Sequence, residues 1–260
     1  MAVTNFIQQI WSKKIQDDLE LKCKLVDNCL REYEGDCKYA QSVKILGVGE
    51  PTIGAYDGTK DITIEDMSDK GQILTIDQAN YFAFYVDDID QAQSVPGLKE
   101  KYQEKAVHGL AVARDTYVAT LIASATNATP IEAMTEEGVK KAVDAAIVAL
   151  RERNFDEDGV IEMTPAFYNL FKNHLITLST NNPELIRKGV VGMYDNFECI
   201  MSNNLKTPCD IRGKKAIAFA GQINEVEALR AEKRFKDIVR GLDTFGAKII
   251  DEARIQKLTA

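Results

Sequence analysis

The spacing of apolar residues between positions 98 and 121 is the feature that most constrains the fold. Apolar side chains recur there at intervals of three and four, at Leu98, Tyr102, Ala106, Leu110, Ala113, Tyr117 and Leu121. This spacing predicts one amphipathic helix from about residue 96 to 126, with Pro96 tolerated in its first turn. At 1.5 Å per residue the helix would be roughly 45 Å long, well beyond the usual globular length. We therefore expect a spine helix, broadened by a second stripe of small and branched residues.

A short apolar strand precedes this helix. The segment ILTIDQANYFAFYVDD is apolar or aromatic at successive positions from 81 to 86, which is expected of a strand that is covered on both faces.

Before it, residues 43–71 combine short β-prone pieces with glycines, one proline and several acids, and they predict a long extended loop or hairpin. Residues 5–20 are predicted to form an amphipathic helix, either a core helix or an arm that docks on a neighbouring subunit.

Residues from about 128 to 215 alternate between helical and strand patterns. Thr135 is a predicted N-cap for a helix through Leu150, GVIEM is a short strand, and TPAFYNLFKNHL is another helix. MYDNFECIMSN and KAIAFAG are later strands. Near the end, EKRFKDIVRGL has helical spacing at Phe235, Ile238, Val239 and Leu242, whereas DTFGAKII has the pattern of a closing strand.

Charge and cysteine content narrow the functional classes. The chain has 40 acidic and 32 basic residues and a net charge of −8, the wrong sign for broad phosphate binding. The five cysteines contain no CxxC pair and are predicted to be free, buried thiols; they are Cys23, Cys29, Cys37, Cys199 and Cys209.

The N-terminal segment lacks a secretory pattern, and no apolar run approaches the ~20 residues of a membrane span. We expect a protein made in the cytoplasm.

Two groups of residues have a weak resemblance to functional motifs. Gly47–Gly54 is glycine-rich but matches neither a P-loop nor GxGxxG, so turn glycines are favoured. Asp87, Asp88 and Asp90 have the oxygen ligands that Mg²⁺ prefers, but acids near a helix N-terminus are the simpler interpretation.

The remaining candidates are weaker still. Residues 156–159 depart from the calcium-loop pattern and predict a solvated turn. His108 and His174 are far apart in sequence and lack a nucleophile motif nearby. We predict no catalytic, cofactor-binding or metal-binding residues, and no enzyme.

Several segments together resemble the major capsid (coat) proteins of tailed bacteriophages. They are TNFIQQIWS, REYEG at 31–35, VKI at 43–45, LTIDQANYFAFYVDDIDQAQS at 74–94 and EKRFKDIVRGLDTFGAKII at 232–250. The resemblance spans nearly the whole chain and implies an α+β capsid fold. The domains it implies are an N-terminal arm (1–42), an extended loop (43–72), a peripheral domain with the spine helix (73–127 and 216–260), and an axial domain (128–215).

The resemblance implies a structural function. Many copies would form pentamers and hexamers of an icosahedral shell around double-stranded DNA, assembled in the host cytoplasm without sequence-specific DNA binding. Scaffold, portal and decoration proteins are implied partners. Two alternatives stay open: an encapsulin-like nanocompartment shell, and a metal-dependent enzyme that uses the aspartates at 87–90.

Overall fold

The computed structural model describes residues 23–33, 42–45, 71–87, 98–178, 191–230 and 236–259. The helices in these ranges are α1 (Leu98–Ser124), α2 (Glu136–Arg151) and α3 (Pro165–Leu178). The strands are β1 (Ser42–Ile45), β2 (Gln72–Thr75), β3 (Gln78–Asp87), β4 (Ala128–Pro130), β5 (Gly159–Met163), β6 (Met193–Tyr194), β7 (Phe197–Met201), β8 (Cys209–Gly213), β9 (Ile217–Arg230), β10 (Lys236–Ile249) and β11 (Ile255–Thr259). Short 3-10 turns occupy Val26–Asn28 and Glu252–Arg254.

The predicted spine helix is confirmed as α1, which spans 27 residues. One side of α1 packs on the sheet of β3, β10 and β9. The core residues that α1 contributes are Val107, Leu110, Ala111, Val118, Ala119 and Ile122. Strand residues Phe219, Val239 and Phe245 face them in the same cluster.

Strand β10 corrects the prediction of helical structure before the closing strand. Lys236–Ile249 is one continuous strand, paired antiparallel with β3 on one side and β9 on the other. Val239, Gly241, Asp243 and Phe245 are all buried, which is the alternation of a strand with one covered face. Pairing on both sides satisfies the backbone of a central strand, and this overrides the helical spacing of its apolar residues.

Strand β3 forms where predicted, but within the subunit it is covered on one face only. Phe82 and Phe84 are half-buried against the core around α1. On the opposite face, Tyr81 is 80% exposed and Tyr85 is 63% exposed. The prediction of a strand covered on both faces is therefore wrong for the isolated chain.

The second layer is a six-stranded sheet packed against α2 and α3. Its strand order is β4-β11-β8-β5-β7-β6, with parallel pairing in β4/β11 and β5/β7. Thr135 caps α2 as predicted, since its Oγ accepts a hydrogen bond from the Gly138 backbone N–H at 3.2 Å. The buried residues of α2 are Val139, Ala142, Val143, Ala146, Ile147 and Leu150, and they meet Phe167 and Phe171 of α3.

The ends of the predicted extended loop form a two-stranded ribbon. Strands β1 and β2 pair antiparallel, and Val43, Ile45 and Leu74 pack on Ala218 and Ala220 of β9. The ribbon thereby ties both ends of the loop to the three-stranded sheet. Residues 46–70, and the predicted helix at 5–20, lie outside the described residues.

The division into domains stays a prediction. Strand β11, predicted to lie in the peripheral domain, pairs with β8 and β4 in the six-stranded sheet. None of the described helices combines the length and the apolar character required of a membrane-spanning segment.

Candidate assembly interface

The outer face of the three-stranded sheet leaves large apolar side chains of β3 and β10 exposed. Tyr81 and Tyr85 of β3 lie directly opposite Leu242 and Ile238 of β10, and Ala83 between them lies opposite Arg240. Leu242 is 41% exposed, Ala83 and Arg240 are exposed, and Ile238 is half-buried. We call these six residues the tyrosine face.

The composition of the tyrosine face is that of a protein interface. Tyrosine combines a large apolar ring with a hydroxyl that can find a partner when buried, and Tyr and Arg are both enriched where proteins bind each other. Contiguous exposed apolar patches on soluble proteins mark interaction surfaces. In the single subunit, Phe82 and Phe84 of β3 therefore pack against the core, whereas Tyr81 and Tyr85 stay at the surface.

A buried ion pair fixes the sheet to the spine helix beneath this face. Arg114 of α1 donates from Nε to the Asp243 carboxylate of β10 at 3.0 Å, and its guanidinium makes a second hydrogen bond to the same carboxylate. The guanidinium also lies 5.6 Å from the ring centroid of Phe219 and 5.8 Å from that of Phe245. Burial raises the pKa of Asp243, and the hydrogen bonds and charge of Arg114 oppose that rise. The pair holds β10 in a fixed position on α1.

A second buried site anchors a segment within the predicted N-terminal arm. The Asp115 carboxylate of α1 accepts hydrogen bonds from the backbone N–H groups of Lys24, Leu25 and Val26 at 3.0, 3.1 and 3.3 Å. Burial raises the pKa of Asp115, and the three backbone N–H donors oppose that rise. The spine helix thus binds the backbone of residues 24–26, so these contacts do not depend on which side chains stand at the three positions.

From the other side, Arg212 of β8 binds the same segment. Its guanidinium donates to the carbonyl oxygens of Leu25 at 2.8 Å and Asn28 at 2.7 Å, and to the Glu162 carboxylate at 2.7 and 3.1 Å. Arg212 and Glu162 are both fully buried. Asp115 and Arg212 together hold residues 24–28 between the spine helix and the six-stranded sheet.

The predicted metal candidates are only partly described. Asp87 is the last residue of β3, where its backbone pairs with Lys236, whereas Asp88 and Asp90 lie outside the described residues. The glycine-rich stretch at 47–54 lies outside them as well.

The other candidates lie at separate places. The Glu157 carboxylate, in the acidic turn before β5, forms an ion pair with Arg254 at 2.7 Å. His108 is exposed on α1 and His174 is half-buried on α3. Across the part of the chain that the structure describes, no three His, Cys, Asp or Glu side chains come together as metal ligands.

The cysteines in the described ranges are free thiols. Cys23, Cys29 and Cys209 are buried and Cys199 is half-buried. Burial raises the pKa of Cys23 to about 12, that of Cys29 to about 11 and that of Cys199 to about 12. These thiols are protonated and unreactive at neutral pH, as expected of small buried apolar groups. Cys37 lies outside the described residues.

Sequence reasoning missed the buried charged residues. Asp115, Glu162, Asp210, Arg212 and Asp243 are each at most 2% exposed. A weak sign is present in the strands, because Glu162 stands alone in the apolar strand GVIEM, and Asp210 and Arg212 alternate with apolar residues in CDIRG. Such charges inside otherwise apolar strands point to a buried polar network.

Comparison with solved structures shows the same fold in phage capsids. The structure of Mycobacterium phage Che8 aligns with a TM-score of 0.76 and 24% identity, covering 91% of this chain and 90% of that chain. The capsid structure of the cyanophage P-SCSP1u aligns with a TM-score of 0.73 and 15% identity, covering 89% and 86%.

A virus-like particle from Pyrococcus furiosus aligns with a TM-score of 0.62 and 13% identity, covering 97% of this chain and 99% of that chain. By sequence, no family profile and no curated protein matches the chain. The chain has the fold of these phage capsid and particle-forming proteins, so the predicted α+β capsid fold is confirmed.

Proposed function

We propose that this protein is the major capsid protein of a tailed bacteriophage, a structural protein that self-assembles into the icosahedral shell around double-stranded DNA. The observation that carries the proposal is the alignment of about nine-tenths of the chain with phage capsid structures. A structural role without catalysis follows from this proposal.

The tyrosine face supports the proposal by its exposure. A surface that carries Tyr81 and Tyr85 at 80% and 63% exposure is costly in water unless a partner covers it. In a shell the partner is a second copy of this chain. Each contact is modest, and the closed arrangement of many identical contacts supplies the stability.

The domain assignments extend the proposal. Residues 1–42 would be an arm and 43–72 a loop that reaches over an adjacent subunit. Residues 128–215 would form the axial domain at the centres of pentamers and hexamers, and 73–127 with 216–260 the peripheral domain. The ribbon of β1 and β2 supports this role for the loop, because it fixes both loop ends to the body.

Other partners follow from the same proposal. Scaffold, portal and decoration proteins would act during assembly in the host cytoplasm, and the finished location would be the virion capsid. Contact with packaged DNA would be without sequence specificity, consistent with a net charge of −8.

A nanocompartment shell is the second candidate. The observation in its favour is the alignment with a virus-like particle over 97% of this chain and 99% of the other. The two candidates differ in contents, which are DNA for a phage head and a cargo protein for a compartment.

The test of the proposed function is expression of the whole chain alone, followed by size-exclusion chromatography and negative-stain electron microscopy. Closed shells, tubes or capsomer-like rings would support a shell protein. Nuclease-protected DNA in particles from infected cells would then separate a phage head from a compartment. A protein that stays monomeric at all concentrations and salt conditions would contradict self-assembly.

A further inference from the structure

Two buried acids face each other across neighbouring strands of the six-stranded sheet. Glu162 of β5 and Asp210 of β8 are directly opposite in the antiparallel register, and both are 0% exposed. Arg212 follows Asp210 by two positions, so the two side chains are on the same face of β8. The site therefore brings two carboxyl groups and one guanidinium together away from water.

The hydrogen bonds leave Asp210 without a donor. Arg212 uses four of the five N–H bonds of its guanidinium, two for Glu162 and one each for the carbonyl oxygens of Leu25 and Asn28. Neither carboxylate oxygen of Asp210 receives a hydrogen bond from any residue that the structure describes. A buried charge in this position would be unpaired, which is strongly unfavourable.

The other titratable groups around Asp210 do not supply the missing positive charge. Lys257 of β11 is opposite Asp210 in register, but its ammonium donates to the carbonyl oxygen of Ala123 at 2.7 Å. Asp115 of α1 adds a further negative charge near Glu162. Cys29 and Cys209 are buried thiols, and burial raises the pKa of each above its ordinary value.

We propose that Asp210 carries a proton in the folded subunit, and that this proton keeps Arg212 bound to the N-terminal segment at residues 25–28. With the proton present, Asp210 is neutral and donates it to the Glu162 carboxylate, which stays paired with Arg212. The guanidinium then has N–H groups to spare for Leu25 and Asn28. Loss of the proton to solvent leaves two carboxylates beside one guanidinium.

In the ionised state, the Asp210 carboxylate competes with the carbonyl oxygens of Leu25 and Asn28 for Arg212, and this weakens the hold on the N-terminal segment. Arg212 is drawn toward Asp210 on its own strand, and this movement lengthens its hydrogen bonds to the carbonyl oxygens of Leu25 and Asn28. Burial first, and then the charge of Glu162, raise the pKa of Asp210 well above its usual range, while Arg212 opposes the rise. A raised pKa in the folded state gives a stabilisation that is present at low pH and is lost as pH rises through that value.

This device belongs to the single subunit and does not rest on the proposed function. It makes the hold on the N-terminal segment sensitive to alkaline conditions, or to any change that admits water to the pair. Release would occur at the carbonyl oxygens of Leu25 and Asn28, whereas the three backbone hydrogen bonds from residues 24–26 to Asp115 would remain.

The test is hydrogen exchange by mass spectrometry on the whole chain, from neutral to alkaline pH, in the wild type and in Asp210→Asn. The asparagine keeps the shape of a protonated carboxyl group and cannot ionise. Rates are divided by those of an unstructured peptide at the same pH. In the wild type, we expect protection of the Asn28 and Cys29 amides, which donate to the carbonyl oxygens of Leu25 and Val26, to fall by up to about tenfold per pH unit as pH rises toward the pKa of Asp210, and to level off above it. In Asp210→Asn it should stay constant.

Two controls keep the result interpretable. Glu198→Gln removes an exposed acid on the neighbouring strand β7, and it should retain the wild-type pH profile. Helix α2 should show the same protection in all three proteins, which reports that each is folded. Identical pH profiles for the wild type and Asp210→Asn at Asn28 and Cys29 would overturn the proposal.

A second measurement applies even if Asp210→Asn folds poorly. The infrared spectrum of the wild type at neutral pH should contain the carbonyl stretch of a protonated carboxyl group, and this band should disappear on moving to alkaline pH. Absence of a protonated carboxyl group at neutral pH would also overturn the proposal.

Discussion

Replacing both tyrosines of the tyrosine face by threonine should weaken assembly without weakening the subunit. Threonine keeps the β-propensity of the strand while removing the rings, so Tyr81→Thr with Tyr85→Thr changes the surface alone. A tyrosine side chain buries about 200 Å², and exposures of 80% and 63% leave about 160 and 130 Å² to be covered. At about 25 cal/mol per Å² the upper limit is about 7 kcal/mol per subunit.

The measured loss will be smaller than that limit. Threonine retains part of the apolar area, and association has entropic costs that reduce the benefit of burial. We expect about 2–3 kcal/mol for the double variant, which is about a 30- to 150-fold rise in the concentration at which shells form. Light scattering across a dilution series measures this threshold, and a thermal melt of the dispersed subunit measures its stability.

The matched control is an aromatic residue on the opposite face of the same strand. Phe84 is half-buried, with its ring 6.2 Å from that of Phe82 and 5.8 Å from that of Tyr102. Phe84→Thr should lower the melting temperature of the subunit itself. A double tyrosine variant with a threshold within about threefold of wild type, and an unchanged melting temperature, would refute the role of the tyrosine face.

Three further predictions concern the body and the loop. Gly246→Ala should destabilise the subunit by about 2 kcal/mol or more in thermal unfolding, because its Cβ would come 2.1 Å from the last carbonyl oxygen of β2. Gly109→Ala on α1, with nothing within 4 Å, should instead stabilise it by about 0.5–1 kcal/mol, and equal effects would contradict the packing of β2 on β10. Arg114→Met should cost about 3–5 kcal/mol in denaturant unfolding by leaving Asp243 buried and unpaired, and a loss under about 1 kcal/mol would contradict that pairing. Deletion of 48–70 should leave a folded subunit that forms no shells, and normal particles in the electron microscope would refute the loop's role.

Local signals in the sequence were enough to predict the helices and several strands, whereas β4, β8 and β11 were not predicted. The three- and four-residue spacing predicted α1, and Thr135 with two following glutamates predicted the start of α2. These elements are specified by neighbours in sequence, through capping and through one apolar stripe. The order of elements then matched the capsid fold.

The failures have a common physical origin in contacts distant along the chain. The apolar run of β3 indicated burial on both faces, but apolar residues do not reveal whether their own subunit or another covers them. Phe235 precedes β10. Within β10, the apolar positions fit a helix and a strand about equally, and the pairing with β3 and β9 decides between them.

The sequence did not show which charged residues would be buried together. Arg212 acquires its role only when β8 lies beside β5 and against residues 25–28, which are more than 180 positions away in sequence. Arg114 likewise meets Asp243 only through the packing of α1 on β10. An isolated charge within an apolar strand predicts a buried network without naming its members.

The most direct test of the account is a cryo-electron microscopy reconstruction of particles formed by the whole chain. We expect a closed icosahedral shell in which a neighbouring copy covers Tyr81 and Tyr85, while Phe82 and Phe84 stay in the core of their own subunit. A shell with both tyrosines open to solvent would contradict the role of the tyrosine face, and the absence of any closed or partial shell would contradict the proposed function.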